Sequence, residues 1–262
     1  MLDTIKHRLG RGETLMVCAM GRVLHHNLVQ MIGIHGGFHA LWFDMEHMDY
    51  STETLELGTL AARSQGLDSF VRLAPTDYAC ITRAFEAGAS GIMAAQVRSA
   101  AEAEQIVKWA KFHPRGCRGL NSVGWDAQFA RIPLAKFAEK ANRETFIAIQ
   151  IETVEALNEC EEIAGIDGVD LLFVGPADLS QNLGVLGDFY HPACLAALDR
   201  VAAACKQYGK PWGVVPVDPE YATRCVEHGC RMLSVSADVR LINAGIESVK
   251  HNYAKFFAAG PV

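Results

Sequence analysis

The sequence lacks the features that mark membrane proteins and nucleic-acid-binding proteins. No apolar run among its 262 residues reaches the roughly 18 residues that a membrane span requires, and the amino-terminal segment has no apolar centre typical of a signal peptide. The formal net charge is −6 and there is no basic stripe or tail, which argues against nucleic acid and anionic membranes as partners. We therefore expect a globular, cytoplasmic protein.

Paired cysteine motifs are also missing. The eight cysteines are spread along the chain without any C-x-x-C pair, so their spacing gives no sign of zinc ligands. Because no export signal is evident, we interpret them as buried thiols rather than disulfides. Half of the residues are hydrophobic, and a domain of this size buries about three-quarters of its unfolded surface without covalent cross-links.

Eight short apolar runs recur along the chain, each followed by a segment of helical periodicity. The runs are nearly continuous, as expected of parallel strands covered on both faces. They span residues 15–20, 40–46, 68–73, 91–97, 146–152, 171–176, 211–217 and 232–238. The pattern predicts an α/β fold, a (β/α)8 TIM barrel, as a single domain over residues 1–262. A doubly wound sheet would normally carry a G-x-G-x-x-G turn after its first strand, where this chain has GRVLHH.

Cap residues and glycines delimit the helical segments. We expect one helix within residues 51–66, one that Thr76 caps and that closes at Gly88, and one that stops at Gly209. The longest interruption is residues 113–145, before the fifth strand, and connections of that length are usually functional or disordered. Its apolar and aromatic content favours an ordered segment.

Polar side chains collect where the predicted strands end. In a (β/α)8 barrel, active sites lie at the carboxyl ends of the strands. Each of these polar residues alone could cap the next helix, but five strands together predict one polar mouth. The residues are Asp44, Glu46 and His47 after strand two, Arg72 on strand three, Gln96 on strand four, Gln150 and Glu152 on strand five, and Asp178 after strand six.

Glu152 and Asp178 come from adjacent strands, so their carboxylates can face each other across the barrel lip. Such a pair suits a hard divalent cation, Mg²⁺, Mn²⁺ or Co²⁺; alternatively, backbone N–H groups satisfy both carboxylates. Arg72 offers a planar fork for a carboxylate or an oxyanion, or else forms an ion pair with Glu152 or Asp44. His47 is a candidate general base whose ring Asp44 orients, or else a histidine that caps the next helix.

Residues for several other chemistries are absent. No strand ends in lysine, so a Schiff-base aldolase has no nucleophile. The last two strands lead into PVDPE and SADVR, without a glycine-rich phosphate cradle, which disfavours phosphorylated substrates. There is no G-x-S-x-G elbow and no H-E-x-x-H helix. The carboxylate pair therefore stays the main clue to the chemistry, and we expect a divalent metal cation and no organic cofactor.

Taken together, these strand ends resemble one known family, the HpcH/HpaI family of class II 2-oxo acid aldolases. The resemblance extends from about Met16 to the final helix, and includes the family's 4-hydroxy-2-oxoheptanedioate and 2-dehydro-3-deoxyglucarate aldolases. It rests on FDMEH, FVRL, EAGASGIMAAQV, HPRGCRG, IQIET and LLFVGPADLS, in that order and spacing. The resemblance implies a metal-dependent lyase that cleaves 4-hydroxy-2-oxo acids reversibly to pyruvate, or an analogue such as hydroxypyruvate, and an aldehyde. It also implies a homo-oligomer, a trimer or hexamer, whose last helix is exchanged between subunits.

The resemblance implies roles for the strand-end residues. Glu152 and Asp178 correspond to the family's metal ligands. Arg72 corresponds to the arginine that binds the 2-oxo group and stabilises the enolate. His47 and Asp44 correspond to its base dyad.

Further correspondences concern the surroundings of that site. Gln150 is expected beside the metal, and the backbone of Gly175, Pro176 and Ala177 is expected to receive the pyruvate carboxylate. Glu46 is expected to support the residues that touch the substrate.

Two departures from the family pattern affect specificity. Glu86 stands where relatives often have an aspartate that reaches a neighbouring subunit's active site. Arg22, His25 and His26 follow strand one, where relatives commonly carry small or hydroxyl residues. These three either reshape the aldehyde pocket or belong to a solvated loop.

Two alternative functions stay open on the sequence alone. A citramalyl- or malyl-CoA-type lyase of the same superfamily would use similar carboxylates and an arginine, but no basic cluster suits the phosphates of coenzyme A. A non-catalytic metabolite-binding barrel would keep the fold and lose the chemistry. Against that reading, residues competent for the metal, arginine and base roles occupy all of the corresponding positions.

Overall fold

Eight parallel strands close into a barrel. In this computed structural model, which describes residues 3–257, each strand pairs with the next in chain order and the last pairs with the first. The strands are β1 (Leu15–Met20), β2 (Ala40–Asp44), β3 (Asp68–Leu73), β4 (Gly91–Ala94), β5 (Phe146–Ile151), β6 (Leu171–Val174), β7 (Trp212–Val214) and β8 (Cys230–Ala237). The predicted (β/α)8 barrel is confirmed. Of the domain predicted over residues 1–262, residues 1–2 and 258–262 lie outside the described part.

Helices connect the strands and cover the outside of the barrel. Within the described residues they are α1 (Ile5–Gly10), α2 (His26–His35), α3 (Thr52–Ser64), α4 (Tyr78–Glu86), α5 (Ala100–Ala110), α6 (Leu134–Glu144), α7 (Val154–Asn158), α8 (Cys160–Gly165), α9 (Pro176–Asn182), α10 (Pro192–Gln207), α11 (Pro219–Glu227) and α12 (Asp238–Asn252). Short 3₁₀ helices lie at Trp125–Ala127 and Ala254–Phe256. Over residues 3–257, no helix combines the length and apolar character needed to cross a membrane.

The start of α4 differs from the expected one by a single residue. The carboxylate of Asp77 accepts hydrogen bonds from the backbone N–H groups of Ala79 and Cys80, at 2.7 and 3.2 Å. Thr76 was expected to cap this helix, and that prediction is wrong because the next residue brings a carboxylate within reach of two free N–H groups.

Strand side chains alternate between two cores, which explains why the strands read as continuous apolar runs. The larger core lies between the barrel and the helices. The smaller one fills the barrel interior with Leu15, Val17, Ala19, Ala40, Trp42, Phe70, Met93, Phe146, Ala148, Leu171, Phe173 and Met232, closed by Ile5 and Leu9 of α1.

The long segment before β5 is ordered, as its composition predicts. It contains the 3₁₀ helix Trp125–Ala127 and helix α6. The Arg118 guanidinium is buried 4.7 and 4.8 Å from the ring centres of Phe85 and Phe112, and donates to Asp126 at 2.5 Å. This buried cation anchors the segment against α4.

One carboxylate joins the amino-terminal helix to the barrel. Asp68, at the start of β3, is 2% exposed and accepts hydrogen bonds from the N–H groups of Ile5, at 2.7 Å, and Ser69, at 2.8 Å. Because Ile5 begins α1, the bond holds that helix across the amino-terminal end of the barrel.

We expect Asp68→Ala to lower the free energy of unfolding by about 1–3 kcal/mol, because it leaves two backbone N–H groups without their acceptor in a buried place. Urea unfolding measures the change. Asp167→Ala is the matched control, since the Asp167 side chain is 92% exposed and its loss should shift stability by no more than about 0.5 kcal/mol. Equal stability of the two variants would contradict this role of Asp68.

Candidate active site

An arginine held by two acids lies at the mouth of the barrel. Asp44 and Arg72 are direct neighbours in the pairing of β2 with β3. Arg72 Nε and Nη2 donate to the two oxygens of Asp44 at 3.0 and 2.6 Å, and Nη1 lies 3.2 Å from Glu46 Oε2. Its guanidinium carbon also sits 4.7 Å from the ring centre of Trp42. The ion pair with Asp44, one of the alternatives for Arg72, therefore forms.

Asp44 fixes the turn that carries His47 instead of contacting its ring. Asp44 Oδ1 accepts from the backbone N–H groups of Glu46 and His47, at 3.1 and 3.4 Å. His47 Nε2 lies 3.8 Å from Glu46 Oε2, and the His47 side chain is 58% exposed. The expected contact of Asp44 with the imidazole is thus replaced by one from Glu46, because the Arg72 fork occupies both Asp44 oxygens.

Glu152 is the most deeply buried acid of the site. It follows β5 directly and has no exposed surface. Its Oε1 accepts from the backbone N–H and the side-chain amide of Gln96, at 2.8 and 3.1 Å, and its Oε2 accepts from the Gln150 amide. Burial raises the pKa of Glu152 to about 7; the Gln96 N–H opposes this rise, and the charges of Glu46 and Asp178 add to it.

Gln96 holds Glu152 from an unusual backbone conformation. Its φ is 57°, in the left-handed region that residues other than glycine rarely adopt. Sequence reasoning placed Gln96 at the end of a strand and gave it no role. Its polar character at that position was the available signal, but the conformation that turns two donors onto one oxygen was not predictable.

The segment after β6 passes close to Glu152. Gly175 precedes α9, whose first turn contains Pro176 and the partly exposed Asp178. A Cβ at Gly175 would lie 2.7 Å from both Gln150 Nε2 and Glu152 Oε2. Glycine is therefore needed here, and it brings the Gly175 backbone beside the carboxylate; Pro176 is buried and Ala177 is exposed.

The charges and oxygens around Glu152 fit a divalent cation. The charges of Glu46 and Asp178 raise the pKa of Glu152, whereas the charge of Arg72 lowers it. Across residues 3–257 no group of three or more His, Cys, Asp and Glu side chains has a metal-ligand arrangement, but Mg²⁺ commonly uses only one or two carboxylates together with water. Among residues 3–257, Gln150 Oε1 is buried without a hydrogen-bond partner, and it offers a cation another oxygen beside Glu152. Glu152 and Asp178 are therefore competent ligands.

The remaining predicted residues fall in two places. Arg22 and His25 follow β1 at the mouth, where Arg22 Nη1 contacts Met48 Sδ at 2.8 Å. Glu86 is the last residue of α4 and lies against Gly124 of the long segment. Because α4 runs back from the carboxyl end of β3 to the start of β4, Glu86 is not at this mouth.

Sequence reasoning missed Asp238, which follows β8 and is 1% exposed. Its Oδ2 accepts from the backbone N–H groups of Arg22 and Val23, at 2.7 and 2.5 Å, and its Oδ1 from that of Val239, at 2.7 Å. An acid at the end of the last strand was the available signal, but its partners lie more than 200 residues away in the chain.

Comparison with known proteins supports the resemblance seen in the motifs. A sequence model described as HpcH/HpaI aldolase/citrate lyase matches residues 25–244. The chain is 32% identical to a pyruvate aldolase of Rhizobium etli, over 83% of this chain and 85% of that one. It is 29% identical to a hydroxypyruvate/pyruvate aldolase of Roseobacter denitrificans, over 93% and 94%. The crystal structure of an HpcH/HpaI aldolase from Desulfitobacterium hafniense superposes with a TM-score of 0.87 at 28% identity, covering 98% of each chain.

We expect Gly175→Ala to destabilise the protein by about 1–3 kcal/mol, because a new methyl group would overlap the buried Gln150 and Glu152 side chains. Chemical denaturation checks this. Gly10→Ala is the control, since a Cβ there meets nothing within 4 Å. If both variants unfold at the same denaturant concentration as the unmodified protein, the close approach of Gly175 to Glu152 is wrong.

Proposed function

The chain belongs to the HpcH/HpaI aldolase/citrate lyase family, and on that premise we propose that it is a metal-dependent aldolase. It cleaves 4-hydroxy-2-oxo acids reversibly to pyruvate, or a close analogue such as hydroxypyruvate, and an aldehyde. The observation that carries the proposal is a fixed arginine, an exposed histidine and a buried acid at one barrel mouth. Arg72 is held by Asp44 and Glu46, and His47 stands beside Glu46. The charges of Glu46 and Arg72 both act on the pKa of Glu152.

Glu152 and Asp178 would hold a divalent cation, with Gln150 beside it. A bound Mg²⁺, Mn²⁺ or Co²⁺ would supply Lewis-acid polarisation of the 2-oxo carbonyl. Gly175, Pro176 and Ala177 would present their backbone to the substrate carboxylate. Gly175 lies directly against the Gln150 and Glu152 side chains, and Pro176 and Ala177 follow it in the chain.

Arg72 provides positive charge where negative charge develops. When the C3–C4 bond breaks, its electron pair moves into the C2–C3 bond, and the 2-oxo oxygen becomes an enolate. A guanidinium already fixed by Asp44 and Glu46 stabilises that oxygen without reorganising during the reaction.

His47 takes the proton from the C4 hydroxyl, so that C4 becomes the aldehyde carbonyl. The neighbouring Glu46 carboxylate, 3.8 Å from Nε2, stabilises the imidazolium that results. In cleavage, the imidazolium then gives that proton, directly or through water, to C3 of the enolate, which becomes pyruvate. In the direction of synthesis, His47 removes a proton from the pyruvate methyl group and the imidazolium returns it to the new alkoxide. Asp44 contributes indirectly, because it fixes the turn that carries His47 and orients the Arg72 guanidinium.

The last helix supports assembly into a homo-oligomer. Within α12 the buried residue is Asp238, whereas Val239, Ile242, Ile246 and Val249 are 37%, 37%, 50% and 52% exposed. An apolar helix face that the described residues leave uncovered favours exchange of α12 between subunits of a trimer or hexamer.

The direct test is an aldol addition assay. Purified protein is mixed with pyruvate and a panel of aldehydes, with Mn²⁺ or with EDTA, and adducts are detected by mass spectrometry. The proposal predicts 4-hydroxy-2-oxo acids that form with Mn²⁺ and not with EDTA. Absence of any adduct would reject it, provided that the protein is folded.

We expect Arg72→Ala to lower kcat by about 10²–10³, the usual effect of removing one preorganised donor to a developing oxyanion. The loss should appear in both cleavage and addition, because both pass through the enolate. Arg83→Gln removes an exposed arginine from α4 and serves as the control for loss of one positive charge. Normal turnover by a folded Arg72→Ala protein would show that the arginine has another role.

A further inference from the structure

The closed strand order, together with the proposed residue roles, indicates where the far end of a substrate points. Glu152 and Asp178 follow β5 and β6, whereas His47 and Arg72 belong to β2 and β3. A 4-hydroxy-2-oxo acid placed between these groups has its 2-oxo end near Glu152 and its C4 hydroxyl near His47. The substituent on C4, which becomes the aldehyde, therefore continues past His47 toward β1 and β8, which follow β2 round the barrel.

The loop that occupies this sector is held firmly. Asp238, buried at the end of β8, accepts hydrogen bonds from the backbone N–H groups of Arg22 and Val23. The Tyr50 hydroxyl donates to the carbonyl of Met20 at 3.3 Å, at the end of β1. These bonds connect three separate parts of the chain and define the position from which the Arg22 side chain extends.

The Arg22 guanidinium is available to a ligand. It contacts the Met48 sulfur, next to His47, and throughout the described chain it makes no ion pair with a carboxylate. Two acids beside Gly21 already have partners, since Arg72 binds Asp44 and backbone N–H groups bind Asp238.

Two histidines lie at the end of the same loop. The ring centres of His25 and His26 are 4.2 Å apart, and both residues line a cavity of about 270 Å³ beside the loop. His25 Nδ1 accepts from the Asn27 N–H at 3.2 Å, which leaves Nε2 as a donor. The loop thus offers an N–H donor from His25 and the positive charge of Arg22, and Arg22 is the one that contacts a residue next to His47.

Resting on the proposed function, we infer that Arg22 binds a carboxylate at the far end of the aldehyde portion and that acidic aldehydes are the preferred acceptors. A guanidinium forms short, charge-assisted hydrogen bonds with a carboxylate and gains nothing comparable from an alkyl chain. Arg22 is thereby a specificity-determining residue for the aldehyde and takes no part in breaking the C3–C4 bond.

The test compares succinic semialdehyde with butanal, which has the same four-carbon chain and lacks the carboxylate. Both are offered with pyruvate and Mn²⁺, and the ratio of their kcat/KM values is measured. Arg22→Gln should lower this ratio about 10- to 100-fold, the effect of losing one hydrogen bond between charged groups. Arg22→Lys should retain part of the preference, and Arg83→Gln should retain all of it.

A ratio that stays unchanged in Arg22→Gln overturns the inference, as does an unmodified protein that prefers butanal. In either case adducts still form, so the proposed function stands. Absence of adducts with every aldehyde would overturn both. Rising ionic strength should lower the ratio in the unmodified protein and leave it unchanged in Arg22→Gln, because salt screens a partly exposed charge pair.

Discussion

The bidentate ion pair between Arg72 and Asp44 determines the geometry of the barrel mouth. The two residues are register partners on adjacent strands, and their side chains are only 12% and 7% exposed. Buried ion pairs contribute little net stability, because desolvation offsets the attraction, but removing one partner is costly. The pair is better understood as a positioning device. It orients the guanidinium, and through Asp44 it fixes the turn that presents His47.

The other half of the mouth has an excess of negative charge. Glu152 is buried near Glu46 and Asp178, and burial is the main reason why its pKa is raised to about 7. Placing acids near one another disfavours their charged forms, and a bound cation would favour the charged forms again. This arrangement is expected of a site that binds a divalent ion and then a 2-oxo acid. It explains why Gly175 and Gln96 adopt tightly constrained positions around a single carboxylate.

Sequence was sufficient for the barrel and for most of the polar residues at its mouth, with Asp238 as the exception. Continuous apolar runs such as residues 146–152 identified the strands, and strand ends identified Glu152 and Arg72. The pairings were harder, because a sequence does not show which of several nearby charges an arginine will choose. Asp44 was expected at the His47 ring and is bound by Arg72 instead, which register across two strands explains.

Other parts of the site depend on contacts that no local pattern encodes. Gln96 acquires its role only in a left-handed conformation, and Asp238 only when the barrel closes and brings β8 beside β1. The exchange of α12 between subunits stays a prediction, which its exposed apolar face supports.

The central claim is that this mouth stabilises the enolate of pyruvate. The most direct measurement follows the pyruvate methyl protons by NMR in ²H₂O, with no aldehyde present, in the presence of Mg²⁺ or of EDTA. The account predicts exchange of these protons for deuterium that requires both the divalent ion and Arg72. Pyruvate that binds in the presence of Mg²⁺ and keeps its methyl protons would contradict it.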